Sequence, residues 1–290
     1  MTARAYAWFE TLYVKGAMHA LQDSGYRSKG LFATAANMKG NTVTWKIAGK
    51  GEATEMSENI EVRPTINAAR TTVTSTLKAY EANEDINVTD LTQMSENEIA
   101  IAQQSCAMAI GRKFDKIPFQ AMDDATSSIT TIGDGSAQIS PIDLLAGQAA
   151  MLAQGITGSP IIHVGVSYNQ LASLLRYKEI NNADYGGDNP LLRQLGARTW
   201  MGMNIIPFPD DTLNTYDTDE KAGYMWFKDC MGFHTPTGPD GKIAMATRID
   251  YIPREKCHHA ANTIQAAAKP ILFEGIRRLR FLNTAPTAFA

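Results

Sequence analysis

The sequence has little charge, few cysteines and no long apolar run. Charged residues make up 20% of its 290 residues, below the usual share of about a quarter, so we expect part of the surface to be covered by something else. The three cysteines (Cys106, Cys230 and Cys257) are an odd set without framework spacing, which favours free thiols and a reducing compartment. Nothing resembles a signal peptide or a membrane span, so we expect synthesis in a cytoplasm and no membrane partner.

No catalytic motif is recognisable either. The glycines and lysine of residues 49–55 lack the spacing of a phosphate-binding loop, and GxSxG, HExxH, EF-hand and CxxC patterns are absent. One weak metal set combines Cys230 and His234 with Cys257, His258 and His259, although neighbouring residues of a strand point to opposite faces. We therefore expect no enzyme, catalytic residue, cofactor or metal. A divergent metal hydrolase is the weakest alternative.

Two titratable motifs have ordinary structural interpretations. His163 lies in an apolar stretch, which favours a core histidine with satisfied hydrogen bonds over a catalytic base. Asp123 and Asp124 are neighbouring acids at the end of a predicted helix, where exposure to solvent is the default. Neither motif indicates a reaction.

Charge changes sign along the first hundred residues, although the net charge of the whole chain is only −3. Residues 1–50 carry seven basic and two acidic groups, and residues 51–100 carry three basic and ten acidic groups. One interpretation is two solvated faces that differ by chance. The other is a pair of complementary surfaces that meet between copies of the chain. The candidate contact residues of the second interpretation are Lys46, Lys50, Glu52, Glu55, Glu58 and Glu61.

Strands and helices are predicted in mixed order, which indicates the α+β class. Residues 41–48 and 70–80 alternate as two strands of a hairpin around a polar turn at 49–61. Because this hairpin is polar on both faces, we expect it to rest on a neighbouring chain.

Helical periodicity is clearest over residues 89–125, with a kink or an end expected at Pro118. Ser140-Pro141 and Ser167 are typical starts of two shorter helices. Further strands are predicted at 161–166, 200–209, 224–235 and 243–252.

Arg277, Arg278 and Arg280 form a basic cluster near the end of the chain. The cluster is typical of a contact with DNA phosphates or with an acidic patch of a neighbouring subunit. A solvated strand face explains the pattern equally well.

Several phrases, taken in their order along the chain, resemble the major capsid proteins of tailed bacteriophages. They are NVTDLTQMSENEIAIAQQSCAMAIGRKFDKIPFQAM, HVGVSYNQLASLLRYKEINNADYGG, WMGMNIIPFP and IDYIPREKCHHAANTIQAAAKPILFEGIRRLRF. The resemblance implies an N-terminal arm at 1–35 and an extended β-hairpin loop at 36–72. It also implies a peripheral domain with a long spine helix at 73–125 and 243–290, and an axial domain at 126–242.

The function implied by this resemblance is self-assembly into hexamers and pentamers of an icosahedral shell that encloses double-stranded DNA in the virion. The implied partners are other copies of the chain, a portal protein, packaged DNA bound non-specifically, and decoration proteins in some relatives. Because the chain begins directly at the arm, we expect a separate scaffolding protein. A bacterial encapsulating shell and another phage structural protein are the alternatives.

Overall fold

The structure is a computed structural model that contains helices and strands in mixed order, which confirms the α+β class. No helix in the described part is long and apolar enough to cross a membrane. The described residues are 23–35, 37–53, 55, 65, 68–91, 98–155, 161–181, 196–217, 219–236 and 245–286. Most of the predicted arm and the contact candidates Glu58 and Glu61 lie outside these ranges.

The elements are numbered in chain order. The helices are α1 (Val88–Leu91), α2 (Glu98–Asp123), α3 (Pro141–Leu152), α4 (Tyr168–Leu174) and α5 (Lys178–Asn181). The strands are β1 (Asn37–Lys39), β2 (Thr42–Ala48), β3 (Arg70–Thr76), β4 (Lys78–Asn87), β5 (Thr130–Ile132), β6 (Ile162–Ser167), β7 (Arg198–Trp200), β8 (Met203–Phe208), β9 (Thr215–Asp217), β10 (Glu220–Phe227), β11 (Met231–His234), β12 (Met245–Ile252), β13 (Cys257–Pro270) and β14 (Ile276–Leu282).

The predicted hairpin is present as β2 and β3, which pair antiparallel and form a small sheet in the order β1-β2-β3. Its base is buried within the chain: Val43 and Trp45 pack with Leu77, Ala267 and Ile271 in a separate apolar cluster. The expectation that the hairpin buries little against its own chain is therefore wrong for its base. Alternation along β2 directs these two side chains to the same face, and that face packs in one cluster with Ala267 of β13.

Helix α2 buries residues at three- and four-residue spacing, as its sequence predicts, among them Ala102, Cys106, Ile110 and Phe114. The helix does not end at Pro118 but continues to Asp123. Phe119 and Met122 are fully buried in the main core. Their packing stabilises the last turn although Pro118 cannot donate a backbone hydrogen bond. The 26 residues of α2 span about 39 Å at 1.5 Å per residue.

The two serine caps are confirmed. Ser140 accepts a hydrogen bond from the Asp143 backbone, and Pro141 takes the first position of α3. Ser167 accepts a hydrogen bond from the Gln170 backbone at the start of α4. In both helices the side chain of the third helical residue accepts a hydrogen bond from the backbone of the cap residue, which completes a capping box.

A seven-stranded mixed sheet lies beside α2. Its order is β5-β14-β10-β6-β8-β7, with β9 pairing β10. Strand β6 runs parallel to β8 and β5 runs parallel to β14, while the other pairs are antiparallel. The short edge strand β5 lies in the segment that the sequence predicts as a turn-rich link.

The long strand β13 organises a second, four-stranded sheet with β4, β11 and β12. The sequence predicts one strand over 224–235, but a 3-10 turn at Lys228–Cys230 divides it into β10 and β11, which belong to different sheets. A side chain at Gly275 would come within 2.1 Å of the Cys230 sulfur. The missing side chain at Gly275 therefore leaves room for the Cys230 side chain at this turn.

The last strand departs from the expected domain limits. Strand β14 pairs with β10 over seven residues, from Glu220↔Leu282 to Trp226↔Ile276. The expected limit at 242/243 would separate it from this sheet, whereas β13 lies in the other sheet. The pairing favours grouping β14 with 126–242.

The main core fills the space between α2 and the two sheets. Its centre is aromatic: Phe119 meets Phe208 with ring centroids 4.8 Å apart, and Phe114 meets Phe233 at the same distance. Trp226 stacks on Phe32 at 5.2 Å. Because Phe32 precedes the hairpin, this core also holds the segment that leads into β1.

Candidate assembly surfaces and the joints behind them

The hairpin presents the predicted contact charges toward its outer end. Lys46, Lys50, Glu52 and Glu55 are exposed. The Lys50 ammonium donates to the carbonyl oxygen of Gln154 at 2.8 Å, which ties the start of the hairpin tip to the end of α3. Among the described residues no ion pair uses Lys46, Glu52 or Glu55. Contact of these charges with a neighbouring copy stays a prediction.

The predicted basic cluster is divided between the two faces of β14. Arg278 and Arg280 share one face, where their guanidinium groups lie 4.7 and 4.0 Å from the centre of the Tyr216 ring. Arg280 also pairs with Glu220 at 2.7 Å. Arg277 is on the opposite face and donates to the carbonyl oxygens of Glu274 and Ile276 at 2.9 and 2.8 Å.

Arg277 and Arg278 are buried, so a solvated strand face is the wrong interpretation for both. All three arginines have partners within the chain. A contact with DNA or with another subunit stays a prediction, and it would have to compete with these partners.

A polar joint behind this cluster connects α2 to the seven-stranded sheet. The Asp123 carboxylate pairs with Arg278 at 2.9 Å and accepts a hydrogen bond from the Tyr224 hydroxyl at 3.0 Å. Burial, with a further contribution from Asp123, raises the pKa of Tyr224, so its hydroxyl remains a donor at neutral pH. The expected exposure of the acid pair is wrong for Asp123, while Asp124 is exposed.

A second polar joint fixes residues 23–28 to the middle of α2. The Asp115 carboxylate, only 1% exposed, accepts hydrogen bonds from the Ser28 backbone at 2.9 Å, the Ser28 hydroxyl at 2.6 Å and the Arg27 backbone at 3.0 Å. Burial raises the pKa of Asp115, while these hydrogen bonds act in the opposite direction. Three donors for one carboxylate explain why an acid is tolerated in the core.

Arg27 extends this joint toward the seven-stranded sheet. Its guanidinium pairs with Asp23 at 3.1 Å and donates to the Tyr168 hydroxyl at 2.5 Å and the Pro207 carbonyl at 3.2 Å. The backbones of Gly25 and Gly111 lie so close that a side chain at either position would come within about 2 Å of the other segment. Residues 23–28 are therefore held tightly against α2.

His163 is buried in β6, as predicted, beside Trp226. Its Nδ1 has no hydrogen-bond partner among the described residues, so the expected satisfied histidine is wrong for this atom. Burial lowers the pKa of His163, and the nearby Lys228 lowers it further. The imidazole is thus held neutral.

The weak metal set is not brought together. His234 pairs with Ala267 on β13, whereas Cys257 lies at the other end of that strand. Ala267 and Cys257 are ten positions apart along β13, a path of about 33 Å. Burial raises the pKa of Cys230 to about 11, which disfavours the thiolate that a metal needs. The described residues contain no cluster of three or more potential metal ligands.

A comparison with protein-family models matches nearly the whole chain. The model of the phage capsid protein family matches residues 5–281. The chain belongs to the phage capsid protein family. It is therefore a major capsid protein, a structural subunit of a phage shell found in the virion, which confirms the function and family predicted from sequence.

Solved capsid structures share the fold. A chain of the capsid of cyanophage P-SCSP1u is 12% identical, with a TM-score of 0.70 and 94% of each chain covered. A chain of the capsid of Ralstonia phage GP4 is 10% identical, with a TM-score of 0.71 and 99% of each chain covered. No curated protein matches the sequence. These likenesses confirm the predicted phage capsid fold.

The sequence does not predict the roles of Asp115 and Asp123 in the two polar joints. A signal for Asp115 exists in the sequence, because Gly111, Asp115, Pro118 and Met122 follow one another at four- and three-residue spacing. These positions form a second buried stripe of α2 beside the first. An acid inside such a stripe indicates a buried polar contact, although its partners cannot be inferred from the helix alone.

Proposed function

We propose that this capsid protein assembles into hexamers and pentamers of an icosahedral shell around a double-stranded DNA genome, with the β2–β3 hairpin lying on a neighbouring copy. One observation carries the proposal: the hairpin is anchored by Val43 and Trp45 at its base, while its described outer end is exposed. A two-stranded ribbon without a second layer is marginally stable in water. A neighbouring subunit would supply that layer.

Charge matching would set the position of the hairpin on its neighbour. The outgoing strand carries the exposed Lys46, and the tip carries the exposed Glu52 and Glu55. Opposite charges on facing subunits fix register and suppress wrong partners, although each exposed pair stabilises by less than about 1 kcal/mol. Many such weak contacts, closed around a shell, give cooperative assembly.

The remaining partners follow from the same proposal. The subunit is made in the host cytoplasm, joins a portal protein and a separate scaffolding protein during assembly, and contacts the packaged DNA without sequence preference. Decoration proteins would bind the outside of the shell. Its role is structural and not enzymatic. The arm at 1–35, the loop at 36–72 and the peripheral and axial domains are part of this proposal, with β14 grouped with 126–242 because of its pairing.

Electron microscopy of the expressed chain, alone and with its scaffolding protein, tests the proposal. Closed icosahedral particles are expected, and tubes or rings would contradict it. Replacing Glu52, Glu55, Glu58 and Glu61 by lysine should block particle formation while the subunit still folds by circular dichroism.

The matched control is a charge swap. Adding Lys46→Glu and Lys50→Glu to the four lysine substitutions restores opposite signs on the two surfaces, and particle yield should rise again. Normal particles from the variant with four lysines alone would refute charge matching but leave shell formation standing.

A further inference from the structure

Helix α3 has an exposed apolar face that the hairpin does not explain. Pro141, Leu144, Gly147 and Met151 are buried against the sheet. The opposite side exposes Ile142, Leu145, Ala149 and Leu152, which recur at three- and four-residue spacing and therefore form one stripe. Ile142 is 76% exposed, the highest value among the exposed large apolar residues of the described part.

This stripe carries no charge. The only ionisable residue of α3 is Asp143, and its carboxylate accepts hydrogen bonds from the Ser140 backbone and hydroxyl at 3.0 and 2.6 Å. A helix that faces water normally carries charged residues on its outer side. An uncharged apolar stripe is instead typical of a surface that another protein covers.

The β7–β8 turn adds a further apolar side chain beside α3. Gln148 donates to the Met201 carbonyl at 3.0 Å, which holds this turn against the helix. Met201 is 61% exposed and has a φ of 46°, in the left-handed region that disfavours a residue of this kind. The two-residue turn of a β-hairpin favours Asn or Gly where φ is positive. Methionine here places an apolar side chain in solvent at a conformational cost.

A third apolar segment lies near the helix at Leu272 and Phe273, both partly exposed. Arg277 donates to the Ala150 carbonyl of α3 at 3.4 Å and to the Phe273 carbonyl at 3.5 Å, so one guanidinium links the two elements. We name the surface formed by Ile142, Leu145, Leu152, Met201, Leu272 and Phe273 the α3 patch.

We propose that the α3 patch is a contact surface for a second copy of this chain, distinct from the contact made by the hairpin. The inference rests on the proposed shell function, in which the subunit is surrounded by copies of itself. The patch also adjoins the hairpin tip, because Lys50 donates to Gln154 just beyond the end of α3. A hairpin leaving toward a neighbour from this point brings that neighbour close to the patch.

The chemistry of the patch argues against packaged DNA as its partner. Packaged DNA is held through phosphates by lysine and arginine side chains, and the residues that form the patch include neither. In a ring of subunits the patch meets a different surface of the next copy and not itself. Each patch is then covered once, and the ring closes without leaving an apolar face in water.

Two arms test the proposal. In the first, Ile142→Asp and Leu145→Asp are each compared with the apolar control Ile142→Val. Both sites are exposed, so thermal unfolding of the unassembled subunit should not change. Losing one buried side chain of this size lowers the association constant of a contact by about tenfold or more, so particle yield should collapse for the aspartate variants only. Normal particles from both aspartate variants would overturn the proposal.

In the second arm a photo-crosslinking amino acid replaces Ile142, and particles are irradiated and analysed by mass spectrometry. The expected adduct joins two copies of this chain. An adduct with another protein, or the absence of any adduct, would overturn the proposal even if the aspartate variants misfold. Absence of particles from the parent chain would instead refute the proposed shell function, and crosslinking of the unassembled subunit would still report whether a second copy covers the patch.

Discussion

Replacing Asp115 by alanine should destabilise the subunit, because it releases residues 23–28 from helix α2. The substitution removes the acceptor of three hydrogen bonds, from the Ser28 backbone, the Ser28 hydroxyl and the Arg27 backbone. Ser28 is fully buried, so water does not replace the lost acceptor. A buried donor without a partner costs about 1–3 kcal/mol.

The net effect is smaller than the sum of these costs. The hydroxyl of Ser28 can rotate toward another acceptor, and the Arg27 backbone is only partly buried. Alanine also removes the cost of burying a carboxylate, which is the cost that raises the pKa of Asp115. We therefore expect the free energy of unfolding to fall by about 2–4 kcal/mol.

Urea unfolding of the unassembled subunit measures this change, and trypsin reports where it acts. Cleavage after Arg27 and Lys29 should accelerate in the Asp115→Ala variant, because the segment is released from α2 before the core unfolds. Asp124→Ala is the matched control, since Asp124 is an exposed acid close to the end of the same helix. A change below about 0.5 kcal/mol, within the range of ordinary surface substitutions, would show that Asp115 does not hold the segment.

Three further predictions concern residues of α2 and β6. Asp123→Ala should lower the free energy of unfolding by about 2–4 kcal/mol, because it leaves the buried Arg278 unpaired, and urea unfolding that matched the parent would contradict this. Gly111→Ala should destabilise by about 1–3 kcal/mol, because the new methyl group would lie 1.9 Å from the Ser24 carbonyl oxygen; a gain in stability from helix propensity would refute the close contact. Because burial lowers the pKa of His163, its stabilising contribution is present above about pH 6.5, the ordinary value, and is lost as the pH falls below it. His163→Leu should therefore lose less stability than the parent between pH 7.5 and pH 5 in thermal unfolding, and parallel curves would contradict this.

Local signals in the sequence predict the elements that depend on local interactions. The starts of α3 and α4 are predicted because Ser140 and Ser167 form capping boxes within four residues of chain. The alternation of β2 and the buried stripe of α2 are predicted for the same reason, since each pattern reports the periodicity of its own element.

Features that depend on distant segments are not predicted. The division of 224–235 into two strands occurs at Cys230, whose side chain packs against Gly275, a residue 45 positions away in the sequence. The partner of Ser28 is 87 residues away in the sequence. Pro118 illustrates the same point, because local propensity ends the helix there while packing of Phe119 and Met122 continues it.

The positions of the two joints bear on how assembly can be separated from folding. Asp115 and Asp123 lie eight residues apart on α2, a distance of about 12 Å. Asp115 holds residues 23–28 on this helix, and Asp123 holds the seven-stranded sheet on it. We call α2 and the elements attached to it the frame. The four-stranded sheet is held by the same helix, through Asn262, which donates to the Gln103 carbonyl at 3.3 Å. The exposed hairpin charges and the α3 patch lie outside this frame. Substitutions at Asp115 or Asp123 should therefore lower both subunit stability and assembly, whereas substitutions at Glu52 or Ile142 should lower assembly alone. A substitution at Ile142 that destabilised the isolated subunit as strongly as one at Asp115 would show that the frame and the contact surfaces are not separate.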